Sequence, residues 1–392
     1  MNRHPNLAPN TALRFVVILG VVSLLADMTY EGARSITGPF LGMLGASGTA
    51  VGVVAGLGEL IGYALRLASG YLSDRTRQYW GFTIVGYVVN LLAVPVLALA
   101  GRWEIAGALI VVERIGKAVR TPPRDAMLSH AGAVIGRGWG FGLHEALDQI
   151  GAVVGPLIVA AVLYAGGDFR VGFAWLIVPA LACLGVLAAA RLLYPRPRDL
   201  EPTSAGLSPE GLNRDFWIYM SAVALIAAGF ADFALIAFHL ARAGGVPQVW
   251  IPMLYALAMG VDALAALAFG RLYDRVGRRA LMLAAFLSAW FAPLVFLGGQ
   301  GAALAGIVLW GIGMGAQESI LRAAVAGMVA ADRRASAFGV FNAGYGVAWF
   351  LGSALMGVLY DLSLPALVGF SVAVQLASLP LLVFVRRLNA AA

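Results

Sequence analysis

The sequence predicts an all-α integral membrane protein: twelve transmembrane helices in two pseudo-symmetric six-helix halves around a central cavity. Three observations carry this. Of 392 residues, 61% are hydrophobic and 12% charged, against about 25% charged in a soluble domain. Apolar runs long enough to cross a bilayer, about 18 residues or more, recur along the whole length. The loop GYLSDRTR from Gly70 returns as GRLYDRVGRR from Gly270, so G-x-L-x-D-R repeats 200 residues on. Abundant glycine, 49 residues in all, suits helices that pack closely in lipid.

The elements follow in order. MNRHPNLAPN is polar and lacks a small-residue cleavage site, so no removed signal peptide is expected. The first half, 1–194, holds spans at 13–40, 48–72, 81–100, 105–121, 139–166 and 171–194. The stretch 195–215, RPRDLEPTSAGLSPEGLNRD within it, is polar and rich in Pro, Gly and Ser, and reads as a cytoplasmic linker. The second half, 216–392, holds spans at 216–240, 248–272, 280–298, 301–330, 337–360 and 366–385. Arginine sets the orientation. Loops after even-numbered spans, the linker and both termini hold most of it: Arg75, Arg77, Arg124, Arg137, Arg196, Arg198, Arg214, Arg275, Arg278, Arg279, Arg333, Arg334, Arg386 and Arg387. Loops after odd-numbered spans hold Arg102, Arg170 and Arg242. Both termini are therefore expected in the cytoplasm. The net charge of +7 is a topology signal and does not point to nucleic acid. Cys183, the one cysteine, allows no disulfide within the chain and no cysteine metal cluster.

Twelve spans, a central linker and a duplicated G-x-L-x-D-R loop resemble the major facilitator superfamily, over about residues 13–385. In that family the loop is implied to latch the outward-facing state, which assigns gating to Gly70, Asp74, Arg75, Gly270, Asp274 and Arg275. The glycines let helices approach, and each aspartate can cap a helix or pair with arginine. GAVVGPLIVAA in span five, with Gly151, Gly155 and Pro156, resembles the family's antiporter motif, with Val159 and Ala160 in place of its usual paired glycines. Gly151 and Gly155 allow close helix packing and Pro156 permits a bend. ADMTYE, ERIGKAVRTPPRDAML and GMGAQESILRAA resemble a bacterial efflux subgroup with metal-resistance and drug-export members. Residence in a bacterial inner membrane follows from that resemblance.

Charges inside the membrane are costly and mark a partner or a wet cavity. Asp27, Glu31 and Arg34 stand at i, i+4 and i+7, on one helical face. Glu113, Lys117, Arg120 and Arg124 share a face of span four, with Arg114 about 100° away. Lys117 is the only lysine in the chain. Span seven carries Asp232 and His239; span ten carries Gln317, Glu318 and Arg322. The family implies that spans one, four, seven and ten line the cavity, and all four carry such residues. At about 1.5 Å per residue, Asp27 and the Glu113/Arg114 pair fall at similar depth, so they are expected to pair or to share a binding site. His144, Glu145 and Asp148 add a polar patch in span five that reaches toward Arg114 or Lys117. Arg120 and Arg124 are expected to snorkel at the cytoplasmic mouth and to join the gating residues there. Thr121, before Pro122, is expected to leave the helix and cap a short new one. His239 lacks a metal-ligand neighbour at i+3 or i+4, and His130 lies near a loop. Glu59 with Arg66, and Asp262, are expected to pair between helices.

A carboxylate that alternates between seclusion, a basic partner and water can load and release a proton. Asp27 and Glu31 lead as coupling residues, followed by Glu318 and Asp232. Glu113, Arg114, Lys117, Glu145, Asp148 and Gln317 complete the candidate coupling or substrate-binding set. The predicted activity is proton-coupled export of a small polar or charged molecule by alternating access. Uptake of an organic anion clamped by Arg114 and Lys117 is the alternative within transport. The short loops and the lack of catalytic motifs set enzyme and receptor readings aside, and the duplicated loop favours a carrier over a channel. Expected partners are a small-molecule substrate, protons and membrane lipids, with no nucleic acid. No cofactor or metal is expected, and the chain is expected to act as a monomer.

Overall fold

The computed structural model describes residues 9–135, 137–194, 212, 214–329 and 334–385. Every regular element among them is helical. They are α1 (Pro9–Met43), α2 (Gly48–Thr76), α3 (Tyr79–Val96), α4 (Trp103–Ile135), α5 (Arg137–Tyr164), α6 (Phe169–Trp175) and α7 (Ile177–Leu193). After the linker come α8 (Arg214–Gly229), α9 (Phe233–Ala243), α10 (Trp250–Val276), α11 (Arg278–Ala289), α12 (Phe291–Phe296), α13 (Gln300–Met328), α14 (Arg334–Leu362) and α15 (Leu364–Phe384). Spans six, seven and nine are each broken into two helices. Among the described residues, eleven spans are long and apolar enough to cross a membrane. The twelfth is α4, which is 33 residues long and carries the charged stretch around Lys117. Most of the expected linker, all but 212, 214 and 215, lies outside the described residues, as do Arg196, Arg198, Arg333, Arg386 and Arg387 and the side chains of His130, Arg137 and Arg334.

Span four corrects one expectation. Thr121 does not leave the helix, and α4 runs through both Pro122 and Pro123. Proline lacks the N–H that would bond the carbonyl four residues back. For Pro122 that carbonyl is Ala118, and Ser69 of α2 donates to it at 2.8 Å. The Thr121 hydroxyl donates to the Lys117 carbonyl at 2.7 Å. A hydroxyl from a neighbouring helix thus restores the bond that the ring removes, as helix breaks in lipid require. Pro156 likewise sits within an unbroken α5.

The chain divides into two compact units: Met1–Arg34 with Ile61–Ser204, and Ser35–Leu60 with Ala205–Ala392. In the first, Gly151 and Gly155 of α5 lie against the α1 backbone at Leu24 and Met28, where a Cβ would collide. Gly86 of α3 meets the backbone of Arg120, and Gly116 of α4 meets Asn90. In the second unit, Gly352 of α14 lies on the backbone of Ala228 in α8, and Gly315 of α13 on Asp262 of α10. The duplicated loops also share a positive φ at equivalent positions. Arg77 has φ 56° and Gly277, 200 positions later, has φ 57°.

Candidate functional site

The first unit holds a buried acid–base cluster built by α1, α3, α4 and α5. Helical periodicity puts Asp27, Tyr30, Glu31 and Arg34 on one side of α1. All four are largely buried. The Tyr30 hydroxyl donates to Asp27 Oδ1 at 2.5 Å. Glu31 is shared by two cations, Lys117 Nζ at 3.8 Å and Arg34 Nη1 at 4.0 Å. Lys117 also stands over the Tyr30 ring, 3.8 Å from its centroid, so its charge rests on an aromatic face as well as a carboxylate. Glu113 receives Arg114 Nε at 3.3 Å and the Asn90 amide at 2.6 Å. The same amide reaches the Glu113 carbonyl at 3.1 Å.

One turn further, Arg120 is 1% exposed. It lies over the rings of Tyr87 at 4.2 Å and Tyr30 at 5.6 Å. Arg124 donates to Ser23 Oγ at 2.8 Å and pairs with Asp125 at 2.8 Å. His144 Nε2 lies 3.2 Å from the same Ser23 hydroxyl and 3.7 Å from Asp148. Ion pairs secluded from water lose hydration, so they hold only with close partners. Here Glu31, Glu113 and Asp125 each receive a cation and Asp27 receives a phenol, across several helices.

Several sequence expectations resolve differently. Asp27 and the Glu113/Arg114 pair share this cluster, but their close partners differ: Asp27 takes Tyr30, and Arg114 takes its own neighbour Glu113. Lys117 belongs to Glu31. Arg120 and Arg124 are buried within the protein rather than extended to a mouth, because Tyr87, Tyr30 and Ser23 receive them. Glu145 is exposed, while His144 beside it is buried. Asp232 caps α9: its carboxylate accepts from Ala234 N at 3.0 Å where span seven breaks. It therefore holds a helix end. His239 meets the Tyr360 hydroxyl at 3.1 Å. Gln317 is buried and accepts from the Tyr345 hydroxyl at 3.1 Å, whereas Glu318 is exposed. In the loop, Asp74 accepts from Tyr79 at 3.1 Å and Arg75 donates to Tyr71 at 3.2 Å. Asp74, Arg75, Asp274 and Arg275 are exposed. Gly70 abuts Pro122, and Gly270 faces Ser319. No group of three His, Cys, Asp or Glu side chains among the described residues is placed to hold a metal ion.

Tyr30, Tyr87, Asn90 and Ser23 belong to the cluster without having been expected there. Asn90 alone carried a usable signal, as a lone amide in the apolar run YVVNLLAVPV. The tyrosines read as ordinary membrane aromatics.

The Major Facilitator Superfamily model matches residues 19–353, with a further match over 221–391. The chain belongs to the major facilitator superfamily. It is a multi-pass membrane transporter for a small molecule, not an enzyme. Among its superfamily relatives, Rv2265 of Mycobacterium tuberculosis is 45% identical over 383 residues, covering 96% of this chain and 94% of that one. The MFS-type transporter MJ1317 of Methanocaldococcus jannaschii is 27% identical over 365 residues, 89% of each chain. Among solved structures, that of the nucleoside transporter NupG (D323A mutant) matches with TM-score 0.75 at 12% identity, over 94% of this chain and 99% of that one. At that identity the likeness speaks for the fold alone.

Proposed function

We propose that this chain is a proton-coupled secondary transporter that exports a small polar or charged molecule by alternating access, as a monomer with both termini in the cytoplasm. The observation that carries proton coupling is the buried set Asp27, Tyr30, Glu31 and Lys117. It holds two carboxylates beside one lysine, and loading either carboxylate with a proton changes which partner the lysine serves. The antiporter-like Gly151, Gly155 and Pro156, which seat α5 on α1 beside Asp27, support export in exchange for protons. The superfamily's halves, 1–194 and 216–392 about the linker 195–215, would supply the rocking bodies. Gly70, Asp74 and Arg75, with Gly270, Asp274 and Arg275, would form the cytoplasmic latch, its arginines also meeting lipid phosphates.

The test is flux into and out of proteoliposomes under an imposed pH gradient, with divalent metals, organic anions and cationic drugs as probes. Asp27→Asn should lose gradient dependence; undiminished dependence would remove Asp27 from the coupling role. A second reading, uptake of an organic anion together with protons, is favoured by one feature: among the described residues, Arg120 is buried without a carboxylate partner.

A further inference from the structure

Pairing off the buried cations of this cluster leaves one over. Glu31 takes Lys117 and Arg34, Glu113 takes Arg114, and Asp125 takes Arg124. Among the described residues Arg120 joins no carboxylate, and its Nε and Nη1 have no hydrogen-bond partner although the side chain is 1% exposed. Its neighbours are the two tyrosine rings. Aromatic faces stabilise a cation, but they leave its N–H donors unsatisfied. A guanidinium has five such donors, and burying them unbonded is costly.

The surroundings add more unused donors. Tyr87 Oη and Thr83 Oγ1 are buried and, among the described residues, likewise have no hydrogen-bond partner. Thr83 and Tyr87 are one turn apart on α3, on the stripe that meets α4, since Gly86 packs on Arg120 and Asn90 on Gly116. Cation and hydroxyls thus lie unbonded in the same cluster as two unpartnered acceptors, Asn90 Oδ1 and Asp148 Oδ1, which do not reach them among the described residues.

We propose that Arg120 is the recognition group for an anionic substrate, an organic carboxylate, with Tyr87 and Thr83 as neighbouring hydroxyl donors. The planar guanidinium matches a carboxylate in geometry as well as charge, and the Tyr30 and Tyr87 rings offer faces to an organic body. The proposal rests on the proton-coupled reading and names the substrate's charge. It also fixes the sign of coupling. Among the described residues Asp27 and Asp148 are the carboxylates of the cluster with no arginine or lysine in ion-pair range, and Asp27 shares Tyr30 with Arg120. The charged groups acting on Asp27 are Glu31 from α1, Lys117 and Arg120 from α4, and Asp148 from α5. An anion at Arg120 and a proton taken from water onto Asp27 attract each other, so each tightens binding of the other by linkage. Partners that favour each other travel together. For a carboxylate this is the sign of the second reading, uptake with protons, and the proposal rests on that reading.

The test uses the full chain in nanodiscs, titrated with sodium acetate, lactate and benzoate. Sodium chloride, sulfate and phosphate at matched ionic strength serve as the other arms, from acid to alkaline pH, with the thermal midpoint as readout. A carboxylate should raise the midpoint, more so at acid pH. Arg120→Lys should weaken that response by about tenfold, since charge remains and the planar fork is lost. Asp27→Asn should bind as well at alkaline pH as the unaltered protein does at acid pH. That second variant decides if Arg120→Lys fails to fold. Equal effects of chloride, no response to any of the three carboxylates, or an unchanged response in Arg120→Lys would each overturn the site. Proton-driven flux without carboxylate binding sinks this site and leaves proton coupling standing. Carboxylate binding through Arg120 without such flux does the reverse.

Discussion

The two halves of the chain share the G-x-L-x-D-R loop and differ in what they bury around it. Beneath α1, α4 and α5 the buried side chains are ions: Asp27, Glu31, Glu113, Arg120 and Arg124. The second unit buries mostly rings and neutral amides, its buried acids being Asp232 and Asp262 among the described residues. Phe230 stacks on Trp310 at 5.5 Å, touches Trp349 at 5.8 Å, and Trp349 meets Tyr345 at 5.6 Å. Gln375 donates to the Gly229 carbonyl at 3.0 Å, and Ser371 does so at 2.6 Å, closing the break in span seven. Ion pairs that can exchange partners suit a moving charge. Aromatic packing, with the dispersion contacts of a dense interior, suits a platform that keeps its shape.

The comparison breaks most visibly if the charges are not essential to the first unit. Lys117→Met removes one partner of a secluded pair and should cost about 3 kcal/mol or more, read as a lower thermal midpoint. The matching change in the second unit, Gln317→Met, removes one neutral hydrogen bond with Tyr345 and one with the Gly313 carbonyl, and should cost only about 1–2 kcal/mol. Equal losses would mean that the charged cluster is no more tightly held than the amide one.

Packing should instead treat the units alike. Gly155 of α5 sits on the α1 backbone and Gly352 of α14 on the α8 backbone, the corresponding helices of the two halves. A side chain at either would meet main chain, which cannot rotate away. Gly155→Val and Gly352→Val should each cost on the order of 2–3 kcal/mol, seen as loss of monodisperse protein or a lowered midpoint. A large loss at one and none at the other would show that the shared plan does not extend to these contacts.

A smaller effect separates the two aspartates that look equivalent from sequence. Asp27 and Asp232 both stand in the first span of their halves, and periodicity grouped each with a polar neighbour. The structure gives Asp232 a capping role, so Asp232→Ala should cost about 1 kcal/mol, and Asp232→Asn, which can still accept from Ala234 N, far less. Gradient dependence in proteoliposomes should survive Asp232→Asn. Its loss would return Asp232 to the coupling set.

These contrasts also mark what was legible beforehand. Helical spacing alone placed Asp27 with Glu31, and Glu113 with Lys117, on common faces, because the period of a helix is fixed whatever surrounds it. Which acid serves which base was not legible, since depth along an axis leaves rotation about it open: Lys117 reached Glu31 rather than Asp27. The continuation of α4 through Pro122 depends on Ser69, 49 residues from the carbonyl it serves, and no local rule about proline contains that hydroxyl. The break that makes Asp232 a cap falls in GFADF, a stretch without proline. There the freed Gly229 carbonyl is bonded by Ser371 and Gln375, 142 and 146 positions distant.

The finest contrast is one backbone angle. Arg77 and Gly277 close the duplicated loops with φ of 56° and 57°. A side chain in the left-handed region costs roughly 1–2 kcal/mol, which glycine escapes. The second loop therefore uses the residue suited to its geometry, while the first carries an arginine in a strained one. Arg77→Gly should relieve that strain. Part of the gain is offset because glycine loses more chain entropy on folding, so the net stabilisation should stay below about 1 kcal/mol. Gly277→Arg should move the other way and by more, because its ψ of −130° lies where side chains are rarely tolerated. A midpoint that falls in Arg77→Gly would mean that the arginine's own contacts outweigh the strain, and that the first loop has been tuned for more than shape.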